Sequence, residues 1–296
     1  MSLSTAKKRG FFLVFALWIF ALMSLFCLGL GFRTFVRTKK ARLLLNRTRA
    51  FYLALSGIRI ANEILRADET SVDHKQEDWA QPFEKEERFV SPAGKGRISL
   101  SIEDEEARIN LNIINRGRAV GLFRQVDMDD AEEKADCLFD YIDRDILSRS
   151  PSVFGCEDKE NAKNMNFSVP EELLLVKNIS VDDYKKIQPL VTVWGDSRIN
   201  INTAREDVLK ALIAEDSLRE DALRVRLGRD MIDGSEDDGY YGGEEGYALP
   251  ARLTRDFKTT SRIFRVTSRG EMGGVEKKIV CVITKGSGKI LYWNEN

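Results

Sequence analysis

Lys7-Lys8-Arg9-Gly10-Phe11-Phe12-Leu13-Val14-Phe15-Ala16-Leu17-Trp18 opens an apolar run that continues to Phe32. No charged residue interrupts it between Phe11 and Phe32, and about 22 apolar residues suffice to cross a bilayer core of roughly 30 Å as a helix. Helix-compatible residues then continue to Arg66, with Gly57 a weak interruption. At about 1.5 Å per residue, 11–66 predicts a rod of roughly 80 Å. An ordinary cleaved signal peptide has an apolar region of about 7–15 residues and a small-residue cleavage site. This run is longer, and no such site follows it. A lipoprotein signal needs small residues ahead of its cysteine, and Cys27 follows Leu25-Phe26. An uncleaved signal anchor shares these features.

A short basic leader, a glycine and an apolar helix with an amphipathic second half resemble the start of a type IV pilin or pseudopilin. The resemblance implies that residues 1–10 are a leader and that a prepilin peptidase cuts between Gly10 and Phe11. It also implies a single-pass protein of the bacterial inner membrane, with the C-terminal domain in the periplasm. The charge pattern points the other way. Arg33, Arg37, Lys39, Lys40, Arg42, Arg47 and Arg49 follow the apolar run and outnumber Lys7, Lys8 and Arg9 before it. Basic residues normally mark the cytoplasmic side.

The chain has 296 residues, room for one or two domains beyond the rod. Its 47 acidic and 46 basic residues nearly cancel, and loss of Lys7, Lys8 and Arg9 leaves 47 against 43. That balance gives no case for a nucleic-acid binder. The four cysteines, Cys27, Cys137, Cys156 and Cys281, form no CxxC, which argues against a zinc or redox site. In a periplasmic body Cys137 and Cys156 could pair, leaving Cys281 free. His74 is the single histidine, in a polar connection, and no GxSxG, Walker or dinucleotide fingerprint occurs. The chain does not read as an enzyme.

Past the apolar run, Leu44, Phe51, Ile58 and Leu65 recur every seven residues beside Ala54, Leu55 and Ala61, one apolar stripe along a helix. Such a stripe packs on the chain's own domain, on neighbouring rods, or on both. Residues 67–96 read as a polar connection. Ile98, Leu100 and Ile102 alternate with polar residues as in a half-buried strand. Arg108-Ile109-Asn110-Leu111-Asn112 recurs as Arg198-Ile199-Asn200-Ile201-Asn202, each copy preceding helical sequence. Thr203 and Glu206 have capping-box spacing, and the Asn pairs suit turns and caps that satisfy backbone groups.

Between the copies, 131–146, 171–176 and 182–187 read as helices, and after the second copy helices run to about Arg229. Residues 233–246 form a loop rich in Asp, Glu and Gly. From Ser261 the period returns to strands, over 263–268, 275–284 and 289–293, with glycine-rich turns that suit a meander. The expected fold is therefore α+β. A long N-terminal helix (11–66) packs on an antiparallel sheet (67–112 with 257–296), with a large all-helical insertion (113–256).

In this order, these segments resemble the minor pseudopilin K family of type II secretion (general secretion pathway protein K), over nearly the full length. The resemblance is carried by Lys8-Arg9-Gly10-Phe11 and by the acidic stretch before Arg108-Ile109-Asn110-Leu111-Asn112. It extends through Asp140-Tyr141-Ile142-Asp143-Arg144-Asp145 and Lys163-Asn164-Met165-Asn166-Phe167 with the following Glu171-Glu172-Leu173-Leu174-Leu175-Val176. The most specific match is Ile199-Asn200-Ile201-Asn202-Thr203-Ala204. It implies an insertion of two SAM-like halves, 113–196 and 197–256, and a non-catalytic place at the tip of a short inner-membrane-rooted fibre. That fibre acts as a piston or adaptor in moving folded exoproteins through the outer-membrane secretin. The implied partners are the I- and J-type minor pseudopilins, the major pseudopilin and the prepilin peptidase, with Leu44, Phe51, Ile58 and Leu65 as the bundle contact.

Most pilins carry a glutamate at the fifth mature position, which is Phe15 here. A carboxylate in that apolar setting is costly unless paired, and a subunit with nothing above it needs none. Phe15 thus fits a tip subunit. The resemblance also implies calcium in the helical domain, mapping onto Asp143, Asp145, Glu157 and Asp158, although Cys156 and Lys159 interrupt the match. A second candidate, Asp233, Ser235, Asp237 and Glu244, has EF-hand-like offsets but carries Asp238 where the loop needs glycine. Two other classes share parts of the pattern. A minor pilin priming a type IV pilus has a similar rod. Helix-hairpin-helix DNA-uptake modules share Asn200-Ile201-Asn202-Thr203-Ala204, but here Glu215-Asp216-Ser217 follows where a glycine hairpin would meet phosphate.

Overall fold

The computed structural model describes residues 4–81, 83–85, 96–145, 147–149, 156, 162–232, 235 and 237–296. In chain order its elements are α1 (Ser4–Ala67), β1 (Phe83–Lys85), β2 (Gly96–Asp104), β3 (Ile109–Asn110), α2 (Arg116–Gln125) and α3 (Ala131–Ile142). There follow α4 (Val181–Ile187), β4 (Val191–Thr192), β5 (Ile199–Asn200), α5 (Glu206–Leu212), α6 (Asp216–Leu227) and β6 (Phe257–Lys258). The chain closes with β7 (Ile263–Met272), β8 (Val275–Thr284) and β9 (Ile290–Glu295).

The rod is one helix of 64 residues. From Phe11 to Arg49 its side chains are almost all exposed; from Ala50 onward one face is covered. Ala50, Ala54, Gly57 and Ala61 fall at helical spacing, and this small-residue stripe lets α1 lie close on a sheet. The sheet has the order β1-β2-β7-β8-β9 and is antiparallel throughout. Its α1-facing side carries Leu100, Ile102, Phe264, Val266, Ile279, Cys281 and Ile283, alternate residues of their strands, as the period-2 pattern predicts. Trp79 closes the end of this core, edge-on to Phe264 with ring centroids 4.9 Å apart.

The strand expected at 263–268 runs on to Met272. Gly270 allows this, because a side chain there would strike the backbone of α1, and the turn falls instead on Gly273-Gly274, both at positive φ. The connection at 67–96 carries more structure than its polarity suggests, with a 3₁₀ turn (Asp78–Ala80) that buries Trp79 and the edge strand β1.

Residues 105–262 stand between the paired strands β2 and β7 and have a core of their own, continuous from Ile109 to Phe257. This block is not all-helical. Each Arg-Ile-Asn-x-Asn copy forms the first strand of a parallel pair, Ile109 against Val191 and Ile199 against Phe257, so each half begins and ends side by side. Residues 109–112 and Phe257 accordingly belong to the insertion and not to the sheet domain. The helix expected at 131–146 ends at Ile142, and 171–176 is a 3₁₀ turn opened by Pro170. The Thr203–Glu206 capping box does not form. Arg205 precedes α5, and the Thr203 hydroxyl donates to the buried Asp104 carboxylate instead. A capping box does form at α4, between Ser180 and Asp183.

Candidate functional site

Two surfaces carry the chemistry expected of an assembly protein: the bare part of the rod, and the junction that fixes the insertion to the sheet. On the rod, Phe11 and Phe15 are both exposed, the latter at 55%. The seven-residue stripe divides. Ile58 and Leu65 are buried on the chain's own sheet, Phe51 is half-buried, and Leu44 remains 63% exposed. Ile58 and Leu65 are therefore not partner contacts, because the sheet already covers them. The rod face open to a partner is the one carrying Leu44, Leu45 and Tyr52.

The junction is built from three consecutive carboxylates at the end of β2. Asp104 Oδ2 accepts from Thr203 Oγ1 at 2.5 Å, Ser261 Oγ at 2.5 Å and Asn200 Nδ2 at 3.0 Å. Its Oδ1 accepts from the Glu106 amide at 2.8 Å. Burial outweighs these donors and pushes the Asp104 carboxyl up to about 6. Glu105 is fully buried and takes both arms of the Arg265 guanidinium, Nε and Nη2, at 2.8 Å, and also the Thr192 hydroxyl at 2.8 Å. Burial alone would raise its pKa; Arg265 and Arg108 hold it below the usual carboxylate range. Glu106 receives Lys258 Nζ at 2.8 Å and the Arg262 amide at 2.5 Å. The three side chains thus grip both halves of the insertion and the start of β7. A run of acidic residues in sequence reads as a solvated face, so nothing local marked these as buried.

The repeated asparagines behave as expected of turn residues. Asn110 Oδ1 accepts from the Asn112 amide, and Asn200 Oδ1 from the Asn202 amide, both at 3.0 Å. Asn112 and Asn202 each clasp a distant loop by its backbone, at Phe167 and at Tyr241 respectively.

The acidic groups differ in what they offer a cation. Asp68, Asp73 and Glu77 converge, but Lys285 Nζ already sits 2.7 Å from both aspartates. In the acidic loop, Asp237 gathers with Asp230 and Asp238, not in the EF-hand pattern with Glu244, and Asp233 lies outside the described residues. Asp237 is served by the Arg229 amide and the Ser235 hydroxyl at 2.7 Å. At the end of α3, Asp143 Oδ2 is held by Arg149, while Asp145 is exposed and accepts from the Leu147 amide. Asp143 Oδ1 and Asn164 Oδ1, however, are buried without a partner among the described residues. The amides of Lys163 and Asn164 both donate to the Tyr141 carbonyl, which brings Asn164 to the same end of α3. Glu157 and Asp158 lie outside the described residues. The Asp143 and Asn164 oxygens are both hard donors of the kind calcium takes.

A disulfide joins Cys137 in α3 to Cys156, whereas Cys27 and Cys281 are free thiols. Burial pushes the Cys281 thiol up to about 12. The His74 ring lies flat on Tyr240, with centroids 4.0 Å apart and planes at 3°.

No protein-family model matches the chain. It is 27% identical to the type II secretion system protein K of Pseudomonas aeruginosa, an alignment covering 96% of this chain and 91% of that one. Among solved structures it is similar to a chain of the GspK-GspI-GspJ complex from the type 2 secretion system of enterotoxigenic Escherichia coli. That match has a TM-score of 0.61 and 21% identity, and it covers 89% of this chain and 99% of that one.

Proposed function

We infer that this chain, which belongs to the type II secretion system protein K family and is a minor pseudopilin, stands at the tip of the pseudopilus and nucleates or caps it. The observation that carries the tip position is Phe15. It is exposed on the rod and has no carboxylate, so it makes no demand for an amine from a subunit above. The block 105–262 supports the same placement, since a second core interposed between β2 and β7 adds bulk that stacking along a fibre does not accommodate.

The partners follow from the same reading. I- and J-type minor pseudopilins would pack on the Leu44, Leu45 and Tyr52 face of α1, with the major pseudopilin below and the secretin and exoproteins beyond. The solved relative held with GspI and GspJ supports that choice. The prepilin peptidase would act at Gly10-Phe11, α1 would root the chain in the inner membrane, and the domain would lie in the periplasm. The Cys137–Cys156 bridge supports this last point, because disulfides persist in oxidising compartments. The role is assembly, not catalysis.

The test uses fibres assembled by cells carrying the whole system. Antibody to the insertion should decorate one fibre end only, and decoration along the sides would overturn the tip placement. In the same cells the mature chain should begin at Phe11. Gly10→Leu should leave a Met1 start and abolish secretion; normal secretion from the uncut chain would remove the peptidase step.

Calcium is proposed at the end of α3, a reading supported by the Asp143 and Asn164 side-chain oxygens that are buried there without a partner among the described residues. A bound calcium would add positive charge to this acidic corner and tie the end of α3 to the segment that carries Asn164. Calcium added to chelator-treated protein should then raise the unfolding temperature, with about 2.7 kcal/mol gained at a hundredfold excess over Kd. Asp143→Asn should abolish most of that gain, whereas an equal rise in both proteins would place the ion elsewhere.

A further inference from the structure

We propose that the section of α1 just beyond its apolar run is a collar for anionic phospholipid headgroups. The proposal rests on the reading that Phe11–Phe32 crosses the bilayer. The first acidic residue of the whole chain is Glu63, so no carboxylate of the helix lies near the basic residues that follow Phe32. Arg33, Arg37, Lys39, Lys40 and Arg42 come within ten residues of Phe32, and all five are exposed. Arg47 and Arg49 continue the series.

Depth and direction both favour headgroups. At about 1.5 Å per residue, Arg33 and Arg37 lie roughly 2–8 Å past the apolar run, within the headgroup layer that adds about 5–8 Å to each side of a bilayer core. Lys39, Lys40 and Arg42 stand somewhat farther out, and their long stems reach back to that layer. At 3.6 residues per turn, Arg33, Arg37 and Lys40 share one side of the helix, while Arg42 points to the opposite side. An acidic partner helix would need its cations on one face. Cations all round an upright helix match a ring of headgroups instead, and anionic lipid attracts basic segments that stand within a Debye length of it.

The collar has two consequences. It sets the depth of the rod, holding about 22 apolar residues in the core with Gly10-Phe11 at the far surface. It also gives the basic residues a reason to lie on the side of the folded domain, where the usual charge rule does not place them.

The free thiols allow a direct test with the full chain. Cys27 is exposed on α1 below the collar, whereas Cys281 is buried, so a thiol fluorophore labels position 27. The labelled protein is reconstituted in vesicles of phosphatidylcholine with about a third phosphatidylglycerol. At roughly 50 mM salt, spin-labelled phosphatidylglycerol should quench the fluorophore about twofold more than spin-labelled phosphatidylcholine, and the ratio should approach one at about 500 mM. Changing Arg33, Arg37, Lys39, Lys40 and Arg42 to Gln should remove the preference while the domain keeps its Cys137–Cys156 bridge. Equal quenching by both lipids at low salt, in protein that resists carbonate extraction, overturns the collar and leaves the span intact. Loss of the wild-type protein to carbonate removes the span itself, and the collar with it.

Discussion

Glu105→Ala should destabilise the full chain by about 3–5 kcal/mol, the cost of leaving a buried charge without its partner. Arg265 is the charge in question. Its side chain is 15% exposed and that of Glu105 is 0%, and the two meet through a bidentate contact at 2.8 Å. Removing the carboxylate strands the guanidinium against the Trp194 ring, 5.8 Å from its centroid, and takes the acceptor from the Thr192 hydroxyl. Thr192 closes the first half of the insertion, so the same change should loosen that half before the sheet unfolds. Urea unfolding in detergent, followed by tryptophan emission, gives the stability, and amide exchange around Ile109 and Val191 gives the local effect. Arg265→Met added to Glu105→Ala should recover most of the loss, because it removes the stranded charge. A single-mutant cost below about 1 kcal/mol would mean that the pair behaves as a surface ion pair.

Gly270→Ala should be nearly as damaging, at about 3 kcal/mol or more, beyond the usual range for an added methyl in a packed core. A Cβ at this position would lie well inside contact distance of the Ala50 carbonyl oxygen, the Ala54 amide nitrogen and Leu53 Cβ. Two of those three are backbone atoms of α1 and cannot rotate away. Relief requires α1 to lift off β7, which would thin the contact along Ala50, Leu53 and Met272. The comparison is Gly274→Ala in the neighbouring turn. That glycine has φ +77° and open space around it, so its substitution carries only left-handed backbone strain, about 1–2 kcal/mol. Equal losses at the two positions would show that close approach of rod and sheet is not what Gly270 provides.

These two sites show where legibility stopped. The strand around Ile98–Ile102 and the meander after Ser261 were legible because alternation is a local property, visible in five residues. Gly270 stood in a glycine-rich stretch and read as part of a turn. Only α1 lying across it, more than two hundred residues back in the chain, explains a glycine inside a strand. The capping box at Thr203 failed for a similar reason. Its spacing was right, but Asp104, 99 residues earlier, competes for the hydroxyl as a buried anionic acceptor. Among the metal candidates the oxygen donors at Asp143 and Asp145 were visible by type, yet Asn164 was not, because only the backbone bonds to Tyr141 bring it to that corner.

By itself the sequence determined the rod, its apolar span and basic continuation, the half-buried strands and the repeated Arg-Ile-Asn-x-Asn units that open the two halves of the insertion. Each depends on period, run length or a short motif, set by neighbours within a few turns of chain. The tertiary structure alone decided which part of the α1 stripe is free for a partner, since Ile58 and Leu65 disappear under the sheet while Leu44 does not. It also turned an acidic run into a buried clamp, whose partners Thr192 and Arg265 lie 87 and 160 residues away. Charges are buried only where paired, and pairing over such separations exists only once the chain has folded.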